Sequence, residues 1–99
     1  MIAFNEKVWQ LCGKVPKGKV TTYKQIAAAM NTKAYRAVGN ALNKNPNSPI
    51  VPCHRVVGSN GDLVGFARGL AMKARMLRKE GIKVKNNKIV DFDKVLHMF

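Results

Sequence analysis

Thr22 followed three residues later by Gln25 is a capping-box pattern, and it sets the start of a helix running from Tyr23 to about Met30. Asn31-Thr32-Lys33 is a short polar break, after which Ala34 to Asn43 reads as a second helix. Two short helices joined by so tight a turn confine this part of the chain to a helix-turn-helix. The second helix carries the small residues Ala34, Ala37, Gly39 and Ala41. Such a surface lets a backbone approach either another helix or a nucleic-acid groove. Arg36 within it, and the lack of any acidic neighbour, favour the groove.

Charge supports that direction. The 99 residues hold 18 Lys and Arg against 5 Asp and Glu, a formal net charge of +13. From Lys7 to Gly61 there are nine basic residues (Lys7, Lys14, Lys17, Lys19, Lys24, Lys33, Arg36, Lys44 and Arg55) and no acid. A surface of this kind attracts a polyanion, DNA or RNA first. An acidic membrane surface and plain solubilising charge are the alternatives, but neither explains why the basic half also holds the candidate nucleophile. No apolar run approaches the length of a membrane span or a signal-peptide core, so an intracellular, cytoplasmic protein without membrane contact is expected, nucleoid-associated when on DNA. The length suits one compact domain. Two cysteines, Cys12 and Cys53, make neither a disulfide framework nor a metal cluster, and a reactive thiol needs a reducing compartment.

The remaining elements follow from turn and cap chemistry. Asn5 is placed to cap a first helix reaching Cys12 and ended by Gly13, with Phe4, Val8, Leu11 and Cys12 on its apolar face and Trp9 off it. Pro16-Lys17-Gly18 is a turn leading to an extended Lys19–Thr22, and 44–49 is a loop. Ser59-Asn60-Gly61-Asp62 turns, Gly65 to Gly69 loops, and Leu70 to Glu80 is a helix with Leu70, Met72, Met76 and Leu77 apolar, stopped by Gly81. A hairpin over 82–90 turns at Asn86-Asn87, after which Phe92, Val95, Leu96 and Phe99 are expected to pack back on the body. The fold class is mostly α with a short β hairpin or sheet.

Cys53 and His54 stand side by side in Ile50-Val51-Pro52-Cys53-His54-Arg55-Val56-Val57. Pro52 fixes its own φ and biases Val51 to an extended conformation, while the β-branched residues on either side read as strand, so Cys53 is expected at a stiff, well-positioned bend. A thiol held rigidly beside an imidazole and a guanidinium is an arrangement that makes a nucleophile. The competing reading is a buried cysteine in an edge strand.

Pro52-Cys53-His54-Arg55-Val56 resembles the active-site signature of the O6-alkylguanine-DNA alkyltransferases. Tyr23, the run from Arg36 to Leu42, Asn45-Pro46, Gly69-Leu70 with Lys73, and Glu80-Gly81 fall where that family has its motifs, so the resemblance spans Val8 to Gly81. It implies a winged helix-turn-helix-like alkyltransferase C-terminal domain, with residues 1–99 a single DNA-binding and alkyl-transfer domain, a monomer, and the family's N-terminal domain absent. It further implies double-stranded DNA containing O6-alkylguanine, or O4-alkylthymine, as partner, and stoichiometric transfer of the alkyl group to Cys53 with no cofactor or metal.

On the same resemblance, Cys53 reaches His54 through a bridging water and Glu80 holds the histidine. Tyr23 crowds the 3′ phosphate to rotate the nucleotide out, and Arg36 fills the vacated stack. Ala34, Tyr35, Ala37 and Gly39 lie with Arg36 on the helix that enters the minor groove. The pocket is walled by Asn45 to Pro49, Val56 and the loop carrying Phe66, Ala67 and Arg68. Phe66 stands where the family commonly has tyrosine, Ala67 where serine also occurs, and Arg68 where glycine is frequent; Arg68 is expected to narrow the pocket in favour of methyl adducts. Lys73 is assigned to support of that loop or of a phosphate. The rival classes are an alkyltransferase-like lesion-binding protein, whose members lack the cysteine, a helix-turn-helix regulator, and a cysteine hydrolase.

Overall fold

The structure, a computed structural model, describes residues 3–45, 51–66 and 69–99. Helix α1 spans Phe4–Gly13, strand β1 Thr21–Thr22, α2 Tyr23–Ala29 and α3 Tyr35–Asn43. A 3₁₀ turn, Cys53–Arg55, leads into β2, Val56–Val57; α4, Leu70–Lys79, then precedes the hairpin β3, Val84–Lys85, and β4, Lys88–Ile89, and a short α5, Phe92–Val95. Among the described residues no helix is long and apolar enough to cross a membrane.

Local chemistry explains most boundaries. The Thr22 hydroxyl accepts from Gln25 N at 3.0 Å and starts α2 as the capping pattern requires. Asn31 takes a φ of 56° and turns the chain into α3, where Ala34 is the cap residue and not the first helical one. Helix α1 starts two residues earlier than Asn5 capping would have it. Ala3, extended at φ −62° and ψ 152°, is the N-cap and its carbonyl accepts from Lys7 N at 3.0 Å, leaving Asn5 inside the helix. Asn86 and Asn87 both sit at positive φ, 53° and 57°, the geometry a two-residue hairpin turn needs.

Two apolar clusters make the core. Val8, Leu11, Cys12, Ile26, Ala27, Val38, Ala41 and Leu42 join α1, α2 and α3, and Trp9 fastens α1 to α3 by donating from Nε1 to Ala41 O at 2.7 Å. Val20, Leu63, Ala74, Leu77, Ile82, Val84 and Ile89 join α4 to the hairpin, with Phe92 and Val95 packed against them. β2 is the seam. Successive strand side chains point to opposite faces, so Val56 enters the first cluster and Val57 the second. β2 pairs in parallel with β1, Thr21 opposite Val56 and Thr22 opposite Val57. The other edge of this pair is taken by the C-terminal segment, where Val20 N donates to Val95 O at 2.9 Å and Val20 bridges to Leu96.

Two apolar expectations need correcting. Phe99 does not pack into the body: it is 43% exposed and meets His97 edge to face at 5.0 Å. On α4 the buried positions are Lys73, Ala74 and Leu77, and Met72 and Met76 are only half-buried, because a charged residue takes the central inward position.

Candidate active site

Cys53 lies in a turn, the stiff bend expected beside Pro52, and the strand read from the β-branched residues after it is only Val56–Val57. Cys53 N donates to Val51 O at 2.8 Å and Arg55 N to Pro52 O at 2.9 Å, closing two tight turns around the proline. Pairing starts only at Val56, because β1 offers just Thr21 and Thr22 as partners. The turn sends consecutive side chains in different directions. Cys53 is half-buried and lines a small pocket with Tyr23, Leu42, Asn43, Asn45, Gly65 and Phe66, whereas His54 is buried and lines a separate, open groove with Lys17, Arg55, Met76, Lys79 and Glu80.

His54, Arg55 and Glu80 form one polar cluster. Arg55 donates from Nε to Glu80 Oε1 at 2.9 Å, from Nη2 to Glu80 Oε2 at 2.5 Å, and from Nη1 to Val15 O at 2.8 Å. His54 Nε2 lies 3.2 Å from the same Glu80 Oε2, but away from the line of a ring N–H, and neither ring nitrogen has an aligned hydrogen-bond partner among the described residues. The contact is therefore electrostatic first. Burial holds the imidazole below its ordinary pKa against the pull of Glu80, which keeps it neutral near pH 7. Burial works to raise Glu80, yet the hydrogen bonds from Arg55, with the His54 ring close by, outweigh it and hold the carboxyl below its usual range. A neutral imidazole beside a fixed carboxylate is equipped to take a proton.

The pocket around Cys53 is tied together by backbone carbonyls. Asn45 Nδ2 donates to Val51 O at 2.8 Å, tying the residue after the α3 C-cap to the start of the cysteine turn. The Tyr23 hydroxyl donates to Val64 O at 3.2 Å and reaches Gly65 O at 3.4 Å. Val56 is fully buried in the first core cluster and is absent from the pocket lining; what it presents to the site is its carbonyl, which accepts from Lys73 Nζ at 2.5 Å. Lys73 also donates to Val64 O at 2.8 Å and stands 5.8 Å from the Phe66 ring centre. Pro49, Ala67 and Arg68 lie outside the described residues.

The outer face of α3 continues from this pocket. Val38, Ala41 and Leu42 turn inward, so Tyr35 and Arg36 are exposed and Ala34, Ala37 and Gly39 are half-buried. Tyr35, Arg36, Gly39, Asn40 and Asn43 line a groove with Tyr23, Val64 and Gly65; Tyr23, Asn43 and Gly65 also line the Cys53 pocket. The structure thus brings the cysteine, the tyrosine and the helix surface together, with the His54–Glu80 pair behind.

Two features lay beyond the sequence reading. Arg55, read there as part of the basic surface and as the guanidinium beside the thiol, is the principal partner of Glu80. Its place directly after Cys53-His54, in a chain with only five acids, was the available signal. The burial of Lys73 was signalled only by its spacing from Leu70 and Leu77, since the carbonyls that receive it lie nine and seventeen residues away.

The comparisons agree with this geometry. Residues 3–82 match the family described as 6-O-methylguanine DNA methyltransferase, DNA binding domain. A methylated-DNA–protein-cysteine methyltransferase of Methanosarcina mazei is 50% identical over 78 residues, covering 78% of this chain and 49% of that protein. The chain spans about half the length of the curated relatives it matches. The structure of Mycobacterium tuberculosis OGT in complex with DNA superposes with a TM-score of 0.76 at 38% identity, over 81% of this chain and 50% of that one. S. pombe Atl1, in complex with damaged DNA containing O6-carboxymethylguanine, superposes over all of both chains with a TM-score of 0.83 at 25% identity. The winged helix-turn-helix-like expectation therefore holds, and the chain belongs to the 6-O-methylguanine DNA methyltransferase family through its DNA-binding domain.

Proposed function

We propose that this chain repairs DNA by direct reversal, moving the alkyl group of an O6-alkylguanine, or O4-alkylthymine, in duplex DNA onto Cys53. The observation that carries the reading is the placement of Cys53: on a proline-stiffened turn, in a pocket beside the exposed α3 surface, next in sequence to a buried histidine held against Glu80. In this account residues 1–99 act as one DNA-binding and transfer unit, as a monomer and in the cytoplasm.

The basic face draws the duplex in, and α3 enters the minor groove with its small residues against the backbone. Tyr23 rotates the damaged nucleotide outward and Arg36 takes the vacated place, offsetting an unstacking cost of roughly a few kcal/mol. His54 accepts the Cys53 proton through a water, with Glu80 stabilising the imidazolium that results. The thiolate then attacks the alkyl carbon in line. An S–C bond forms, the C–O6 bond breaks, and the electron pair stays with the base, which is restored to guanine on taking up a proton. No metal, cofactor or hydrolytic water enters. The thioether has no exit, so each molecule acts once.

One observation favours a second reading, lesion binding without transfer: the S. pombe Atl1 fold coincides with the whole chain. Cys53 and the His54–Glu80 pair have no use in such a protein, and the relatives at 47–50% identity carry the methyltransferase name. Stoichiometry separates the two. With lesion DNA in excess, the proposal requires one lesion lost per protein molecule and no second turnover, whereas lesion binding alone leaves every O6-methylguanine in place.

A further inference from the structure

The hairpin of β3 and β4 lies wholly beyond residues 3–82, the part of the chain that matches the family. Its two faces differ. Ile82, Val84 and Ile89 are buried in the second core cluster, and the residues alternating with them, Lys83, Lys85, Lys88 and Val90, are exposed. Lys85 and Lys88 are register partners, directly opposite each other across the strands. Like charges in that position repel and weaken the pairing. Lys88 has a loose counter-charge in Asp62, Nζ 3.9 Å from Oδ1 with both side chains more than half exposed, and none of the ion pairs among the described residues involves Lys85. A local cost without local gain points to a use outside the fold.

The turn of this hairpin is fastened to the face that carries α3. Asn86 and Asn87 reverse the chain at positive φ; Leu63 N donates to Asn87 O at 2.8 Å and Ile89 N to Gly61 O at 2.9 Å. The next residue, Val64, is 40% exposed and lines the groove with Tyr35 and Arg36. One hydrogen bond and one peptide unit thus separate the hairpin turn from that groove, and the lysine pair continues its basic surface. We propose that the hairpin is a second grip on the duplex, with Lys85 and Lys88 each neutralising a backbone phosphate beyond the stretch that α3 covers. The phosphates supply the counter-charge that Asp62 gives only in part. Such contacts read no bases and add affinity equally on damaged and undamaged DNA. The proposal rests on the duplex-binding half of the function proposed above and is independent of transfer to Cys53.

The test is the salt dependence of binding to an undamaged duplex by wild type, by Lys85→Gln/Lys88→Gln, and by Arg75→Gln/Lys94→Gln, which removes the same charge from exposed positions off the hairpin. Losing two phosphate contacts should flatten the slope of log K against log salt by about 1.8, roughly 0.9 per contact, and weaken binding at about 0.1 M salt by more than about tenfold. The slope of the Arg75/Lys94 variant should stay near that of wild type. In wild type, bound duplex should also shield Lys85 and Lys88 from amine acetylation while Lys94 stays reactive, a readout that decides the matter even if the hairpin variant does not fold. An unchanged slope in the hairpin variant, an equal loss in the Arg75/Lys94 variant, or acetylation of Lys85 and Lys88 as fast in the complex as in the free protein would overturn the proposal and leave the α3 interface standing. If wild type does not bind duplex at all, the DNA-binding reading itself fails and takes the proposal with it.

Discussion

Arg55 grips both carboxylate oxygens of Glu80, Nε to Oε1 at 2.9 Å and Nη2 to Oε2 at 2.5 Å, while His54 Nε2 touches the second oxygen at 3.2 Å. The carboxylate is therefore oriented by the guanidinium and offered to the imidazole. Arg55 is in turn fixed by Val15 O, which anchors the segment after α1 to the cysteine turn.

Arg55→Met is expected to destabilise the protein and slow transfer together. Removing one partner leaves a mostly buried carboxylate, 13% exposed, without its main donors. A cost of about 2–3 kcal/mol follows, below the value for fully buried pairs because solvent reaches this one. Urea denaturation measures it, and a change under about 0.5 kcal/mol would mean that solvent already satisfies Glu80.

Burial of Lys73 gives the protein a signature in the pH dependence of its stability. Its folded-state value, about 8 against 10.5, means that the native protein sheds this proton first, so the unfolded chain binds more protons between those values and stability rises with pH. Cys12 opposes this above pH 9, being pushed from 9.0 to about 12, and so loses stability as the unfolded thiol ionises; Tyr23, raised from 10.0 to about 12, does so above pH 10. Between pH 8 and 9 the lysine outweighs the cysteine, whose unfolded thiol is only starting to ionise, and a net gain of about 0.5–1 kcal/mol is expected. Denaturation midpoints across that window check it, with Lys73→Met as the variant that lacks the rise.

The two cysteines differ sharply in access. Cys12 is 0% exposed in the first core cluster, and burial, with Cys53 as a second influence, lifts its thiol to about 12. Iodoacetamide at pH 7.5 should therefore modify Cys53 in the native protein and reach Cys12 only after unfolding. Peptide mapping that finds Cys12 labelled at a comparable rate would contradict the packing of α1 described above.

What was legible in the sequence was what local chemistry decides. The Thr22 cap, the Asn86-Asn87 turn and the stop at Gly81 are settled within a few residues, and each stands where its pattern puts it. The bend at Cys53 was legible from Pro52, but among the described residues the strand read around it is only Val56–Val57, because a strand needs a neighbour and β1 is only two residues long. Glu80 and Lys73 were singled out by resemblance, yet their partners are backbone and side-chain groups distant in sequence. The charge of Lys73 argues for solvent, while its spacing from Leu70 and Leu77 puts it on the inward face of α4, where two carbonyls receive the ammonium. The parallel pairing of β1 with β2 was equally hidden, since neither two-residue strand carries a pattern of its own.

The central claim is that Cys53 is the alkyl acceptor, and intact-protein mass spectrometry tests it most directly. Wild type and Cys53→Ser are each mixed with a duplex containing one O6-methylguanine, then digested to locate any added mass. The account predicts one methyl group per molecule, on Cys53, with the guanine restored and neither change in the variant. Tight binding to the lesion with no added mass on the wild type would contradict it and place the chain among lesion-recognition proteins.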